Sequence, residues 1–165
     1  MNTDLRTVMR HFATGVCVVS TFSDDSGSRR HDAITVNSLV SVSLDPAIIT
    51  LCFRHDSRFL ADLRDAGVWG VSILDGESEG QARAFAKDPD SRQSAIALAP
   101  HHIGETTGVL LLDSAGWMEV RYRDEIVIGD HVMVIGEVVR LGAADSSVPL
   151  IFLQGGFHTL ELSRS

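Results

Sequence analysis

Between Ala33 and Pro46 the chain places Thr35, Asn37, Ser38, Ser41 and Ser43 in a run that is otherwise aliphatic and largely β-branched. Hydroxyls and amides of this size can approach a phosphate or a polar heterocycle closely, and strand backbone adds N–H donors wherever its pairing is irregular. Such a segment is poor core and good ligand wall. Asp45-Pro46 breaks it before a second apolar run.

Ser57-Arg58 is the next candidate. Ser57 suits a helix N-cap, and the free N–H groups of a helix start beside a guanidinium make an anion site. Taken alone, the pair reads as a cap and a solvated first-turn arginine; taken with the polar wall upstream, it reads as a phosphate site. The seven histidines raise metal binding, chiefly through His101-His102, with His31, His55 and His131 more distant. No His-Glu-x-x-His or Cys-x-x-Cys spacing supports it, so no metal site is expected and the His pair is assigned to loop surface. Serine hydrolase chemistry lacks its Gly-x-Ser-x-Gly elbow. Glu119 and Glu137 are expected to face solvent or to pair with Arg121, Arg123 or Arg140. Cys17 and Cys52 read as buried, reduced thiols, and Trp69, Trp117, Phe152 and Phe157 as barrel or interface core.

The elements that must position these groups are mostly strands. Thr14 to Phe22 is β-rich, a Ser/Asp/Gly turn covers 23–28, a second strand carries the polar wall, and Ala47 to Phe53 is a third. The short connections require antiparallel pairing. Phe59, Leu60, Leu63 and Ala66 share one helical face between Ser57 and a C-terminal Gly67. Val68 to Leu74 returns to strand, and Ser78 with Gln81 has capping-box spacing for a helix running to Ala86 or Lys87. From Asp88 to Ser114 the pattern is weak and reads as a long connection. Trp117 to Ile128, His131 to Leu141 and Pro149 to Leu153 are strands, with a turn at Ile128-Gly129-Asp130, and Phe157 to Leu162 is a short terminal strand. Some six antiparallel strands with short helices inserted form a closed or nearly closed barrel more readily than a sandwich with long edges. A Rossmann fold is excluded by the absence of Gly-x-Gly-x-x-Gly and of strand-helix alternation.

The chain has 165 residues, 44% hydrophobic and 22% charged, enough for one domain with a sizeable core over 1–165. No apolar run approaches the ~18 residues of a membrane span, and the N-terminus lacks the layout of a secretory signal, so a cytoplasmic protein is expected. A net charge of −8, with Lys87 the only lysine, argues against nucleic acid as a partner. Arg29-Arg30, the one adjacent basic pair, follows Asp24 and Asp25 and reads as a solvated loop.

Met9-Arg10-His11-Phe12-Ala13-Thr14-Gly15-Val16, Thr35-Val36-Asn37-Ser38-Leu39, Ser41-Val42-Ser43-Leu44-Asp45-Pro46, Ser57 with its helix, Phe85-Ala86, Ile128-Gly129-Asp130-His131 and Ile135-Gly136-Glu137-Val138 occur in that order. Together they resemble the flavin reductase-like family of FMN-binding split barrels, over nearly the whole chain. The resemblance implies a mainly β fold, an antiparallel Greek-key split barrel, usually a homodimer, that binds FMN or FAD and takes hydride from NADH or NADPH. By position it implies that Thr35, Asn37 and Ser38 contact the isoalloxazine edge and ribityl chain, and that Ser41, Val42 and Ser43 form the adjoining wall. Ser57 and Arg58 would hold the phosphate, Phe85 and Ala86 would line the same end of the flavin, and His131 would face the nicotinamide. Val36 and Cys52 are further cofactor-binding positions. The implied activity is NAD(P)H-dependent flavin reduction that supplies a separate monooxygenase, with no obligatory catalytic side chain. Two other readings stand beside it: a flavoenzyme that retains its flavin and reduces its own organic substrate, and a non-catalytic flavin-binding module.

Overall fold

The computed structural model describes residues 4–25, 27–144 and 147–160. A short helix, α1 (Leu5–Met9), precedes strands β1 (Thr14–Gly15), β2 (Cys17–Asp25), β3 (Ser28–Val36), β4 (Val40–Leu44) and β5 (Ala47–Arg54). Helix α2 (Arg58–Ala66), strand β6 (Val68–Ile73) and helices α3 (Glu79–Ala84) and α4 (Pro89–Leu98) follow. The remainder is β7 (His101–Ile103), β8 (Leu110–Leu112), β9 (Gly116–Ile128), β10 (His131–Ala143), β11 (Leu150–Leu153) and β12 (Gly156–Thr159).

Seven strands pair antiparallel in the order β3-β2-β6-β9-β10-β5-β4. The two end strands, β3 and β4, are consecutive in the chain, separated only by Asn37, Ser38 and Leu39. Laid flat, a sheet of this width would hold its edges roughly 29 Å apart. The link reaches roughly 15 Å at full extension. The sheet must therefore curl until its edges approach, which gives the nearly closed barrel expected from the strand pattern and accords with the Greek-key split barrel that the resemblance implies. The polar wall sits at the seam.

Strand β2 shows why its sequence lacks a polar face. Cys17 and Val19 point into the barrel core with Leu51, Trp69 and Val134, whereas Val16, just before the strand, and Val18 join a second core with Leu74, Phe85, Leu112 and Leu150. A strand covered on both sides needs apolar residues at every position. Ser20 and Thr21, also buried, donate to the Leu110 and Val68 carbonyls and so bring no unsatisfied hydroxyl inside. Helix α2 lays Phe59, Leu60 and Leu63 into the barrel core. Its start and stop are as read: Ser57 Oγ accepts from the Leu60 amide at 3.4 Å, and Gly67 takes φ 66° to return its N–H to the Leu63 carbonyl.

Several expectations are corrected. The polar wall is two strands broken at Asn37–Leu39, because that segment turns from one sheet edge to the other. The expected turn at 23–28 is largely strand, since β2 and β3 continue to Asp25 and Ser28; Ser26 lies outside the described residues. Arg29 and Arg30 accordingly lie on β3, paired with Asp24 and Asp62. No capping box forms at α3: Ser78 Oγ donates to Asp75 at 2.7 Å, and Gln81 Oε1 is buried with no partner among the described residues. The helix ends at Ala84 because Phe85 turns into the second core and gives its carbonyl to the Thr35 amide. The weakly patterned 88–114 region holds α4, β7 and β8. Asp88 caps α4, with Pro89 at its first turn. The terminal strand is β12, shorter than expected, and Glu161 and Leu162 lie outside the described residues.

Glu119 does not face solvent, though the expected pairing with Arg140 is present at 3.9 Å. It is wholly buried under the loop between β7 and β8, where one carboxylate oxygen accepts from Thr106 N (3.0 Å), Thr107 N (2.6 Å) and Thr107 Oγ1 (2.7 Å). Glu137 pairs with Arg123 as expected. Cys17 is buried but Cys52 is exposed, since Cys52 occupies the outward position between inward Leu51 and Phe53.

Candidate active site

Asn37 stands where three hollows of the surface meet. One, of about 200 Å³, is lined by Thr35, Val36, Asn37, Ala86, Phe152 and Phe157. A second, of about 550 Å³, takes in Phe12, Thr14, Asn37, Ser38, Val40 and Ile73. The third runs between α1 and the β11–β12 hairpin. A larger hollow, about 680 Å³, lies elsewhere and carries Asp75 and Glu77 without a cation in its lining. An anionic ligand suits the Asn37 cleft better, because the acidic hollow would repel it.

The polar side chains at the cleft divide by what the fold already asks of them. Thr35 is committed: its amide donates to Phe85 O at 3.1 Å and its hydroxyl to Ala82 O at 2.7 Å, holding α3 against β3. Ser38 is committed too, since its Oγ accepts from the Cys52 amide at 3.1 Å and lies 3.3 Å from the Cys52 carbonyl. Asn37 is exposed and forms no side-chain hydrogen bond among the described residues. Its amide offers two donors and an acceptor to a polar ring edge or a sugar-like chain.

The other expected positions fall in three places. Ala86 lines the smallest hollow with Asn37, but the Phe85 side chain turns into the second core behind it. Ser41, Val42 and Ser43 continue along edge strand β4; pairing skips Val42, whose side chain is 58% exposed, so the strand bulges there. Ser57, Arg58 and His131 belong to a separate corner. His131 pairs across the sheet with Arg54, and the His55 amide donates to the Asp130 carbonyl at 3.3 Å. Arg58 is exposed and has no carboxylate partner among the described residues, whereas Arg54 is held by Asp56 at 3.1 Å. His131 Nδ1 lies 2.9 Å from Asp130 Oδ1, and this contact holds the Asp130 carboxyl below its ordinary range. Strand β5 links the two places, with Cys52 beside Ser38 and Arg54 about 7 Å further on.

Phe152 and Phe157 pack against the second core, as expected, and also wall the cleft. They face each other across the hairpin at 5.5 Å, edge to face, with the Arg83 guanidinium 5.1 Å from the Phe157 ring. Two phenylalanines flanking the Gln154-Gly155 turn at paired positions were the available signal. Among the described residues, no three His, Cys, Asp or Glu side chains gather as a metal ion requires.

The sequence profile of the flavin reductase like domain matches residues 9–161. The chain belongs to this family. A probable flavin reductase of Rhizobium meliloti is 32% identical over 96% of this chain, which spans only 49% of that relative's length. The NADH-dependent FMN reductase of Streptomyces nodosus subsp. asukaensis is also 32% identical, over 96% of this chain and 85% of the relative. Among solved structures, the flavin reductase component of a bacterial two-component tryptophan halogenase superposes with a TM-score of 0.84 at 29% identity, covering 96% of this chain and 98% of that one. The barrel is thus the fold that this chain shares with that structure.

Proposed function

We propose that the chain is an NAD(P)H-dependent flavin reductase, one flavin reductase-like unit over 1–165, that reduces FMN or FAD and passes it to a partner monooxygenase. The observation that carries this reading is the Asn37 amide, without a side-chain partner among the described residues, at the junction of the three hollows, beside an aromatic wall and upstream of an arginine at a helix start that likewise has no carboxylate partner among them. These groups fit a flavin: a planar ring against Phe152 and Phe157, a polar edge at Asn37, and a phosphate at Ser57 and Arg58. Bound flavin would supply an acceptor for hydride from the nicotinamide.

The protein's contribution is then positional. Thr35 and Ser38 fix the backbone on both sides of Asn37, Ala86 closes one end, and His131, at the corner shared with Ser57 and Arg58, is assigned to the nicotinamide of the second substrate. Holding two rings about 3–3.5 Å apart needs rigid walls and no nucleophile. The relatives named above support the nicotinamide donor and a separate oxidising partner.

A homodimer is part of the proposal. Leu5, Val8 and Phe12 around α1, and Val40, Val42 and Leu44 on edge strand β4, are all more than half exposed. An exposed edge strand with this composition is best covered by a second copy. The free thiols of Cys17 and Cys52 suit the reducing cytoplasm, and no helix among the described residues is long and apolar enough to cross a membrane.

Steady-state turnover tests the reading. NAD(P)H oxidation that depends on added free flavin is expected. A tightly retained flavin that needs another acceptor, or no turnover at all, would favour one of the two other readings.

A further inference from the structure

The smallest hollow at the Asn37 junction has no charged residue in its lining. A charge stands against its aromatic wall instead. The Arg83 guanidinium lies 5.1 Å from the centre of the Phe157 ring, and Phe157 meets Phe152 edge to face at 5.5 Å. Arg83 is in the last turn of α3, between two residues tied to strand β3. The Ala82 carbonyl accepts from the Thr35 hydroxyl at 2.7 Å, and the Phe85 carbonyl accepts from the Thr35 amide at 3.1 Å. The backbone that carries Arg83 is thus pinned to the strand leading into Asn37.

Glu79, one turn earlier on α3, takes up part of the Arg83 charge. One Glu79 oxygen accepts from Arg83 Nε at 2.8 Å and lies 2.7 Å from Nη2. The two side chains are 62% and 47% exposed, so their pairing contributes little to stability and neither is needed for folding. What the pair can do is set the field at the aromatic wall. A cation held against a phenyl ring is drawn to its negative face, and whatever packs on that ring meets a more positive surface.

Hydride transfer changes the charge of what packs there. NAD(P)H gives up a hydride and leaves as NAD(P)+, while the flavin ring gains the hydrogen with its electron pair and with them one negative charge. A fixed positive charge favours the reduced ring over the oxidised one, because only the reduced ring carries the added charge. We propose that the Glu79–Arg83 pair sets the ratio of the cleft's affinities for reduced and oxidised flavin. Arg83 favours the reduced ring through Phe157, and Glu79 tempers that preference so that a product meant for another enzyme is not trapped. The inference rests on the flavin reading, since it needs the ring to lie against Phe152 and Phe157.

Anaerobic titrations of oxidised and of dithionite-reduced FMN test it in wild type, Arg83→Gln, Arg83→Lys and Glu79→Gln. The phosphate is common to both states and drops out of the ratio. The preference for reduced FMN is expected to fall about fivefold in Arg83→Gln, which is about 20 mV in the midpoint potential of the bound two-electron couple. It should rise above wild type in Glu79→Gln, and Arg83→Lys, which keeps the charge, should lie between Arg83→Gln and wild type. These differences should shrink in about 1 M KCl, because exposed charges are screened. A purely structural role would weaken both states alike; an unmoved ratio in Arg83→Gln overturns the inference. So does a Glu79→Gln variant whose ratio fails to rise, or a lysine variant no better than the glutamine one. A wild type that binds FMN in neither state fails the flavin reading itself, and the inference with it.

Discussion

Ser38 and Cys52 are stitched side chain to backbone beside the barrel seam, with the Ser38 oxygen 3.1 Å from the Cys52 amide and 3.3 Å from its carbonyl. The residue next to it, Asn37, has no such obligation. Neighbours in sequence are thereby divided into one that holds the wall and one that is free to meet a ligand.

Ser38→Ala is expected to cost about 1–2 kcal/mol, since it leaves the Cys52 amide without its partner. Asn37→Ala should change stability by less than about 0.5 kcal/mol while weakening flavin binding. Urea unfolding of both variants with parallel flavin titrations checks the division. Equal stability losses would contradict it.

Arg58→Ala should weaken FMN about tenfold and leave riboflavin nearly untouched, because only FMN carries the phosphate. Fluorescence titration of the two ligands measures this directly. An equal loss for both would place Arg58 in the fold instead of the site.

Arg92 and Asp32 form a bidentate pair at 2.9 and 2.7 Å with side chains only 12% and 5% exposed, and this pair clamps α4 to β3. Arg92→Ala strands a buried carboxylate and is expected to cost about 3–5 kcal/mol. Adding Asp32→Asn should recover part of that loss. Denaturation midpoints for the single and double variants decide it, and no recovery in the double variant would mean that packing of the arginine stem dominates.

Burial pushes the Cys17 thiol up to about 12 from an ordinary 9.0, so the fold favours the neutral form. The associated stability is fully present below pH 9.0 and is lost as pH rises toward about 12, a difference on the order of 4 kcal/mol over the window. Exposed Cys52 should react first with a maleimide at neutral pH, and Cys17 only on unfolding. Mass spectrometry of the labelled peptides distinguishes the two; early labelling of Cys17 would refute its protection.

The strands and α2 were legible because their signals are local: period-2 or fully apolar runs, Ser57 as cap, Gly67 as stop. The seam was not. Nothing in Val36-Asn37-Ser38-Leu39-Val40 says that the flanking strands lie at opposite ends of one sheet; that follows from pairings of β2, β5, β6, β9 and β10 far away in the chain. Helix α4 was hidden by its weak amphipathicity, since it buries no residue and is held by Arg92 and by Gln93, whose amide donates to the His31 carbonyl at 2.7 Å. Glu119 was legible only in part: Arg140, an expected partner, lies 3.9 Å from one carboxylate oxygen, but the Thr106 and Thr107 groups that bind the other belong to a loop that only the tertiary fold brings over it. At the cleft, the polar residue types were visible in sequence, but which hydroxyls were already spent on the fold was not.

The wiring of the seven-stranded sheet also sets an order of assembly. Strands β9 and β10 adjoin through Gly129-Asp130 and can zip without a large loop-closure cost, whereas the β10–β5 and β2–β6 pairings close long loops and come later. The Asn37 junction exists only after both sheet ends have curled together, so ligand competence is expected to be the last property regained on refolding. Tryptophan fluorescence from buried Trp69 should recover before flavin quenching does; recovery of both in one phase would rule that order out.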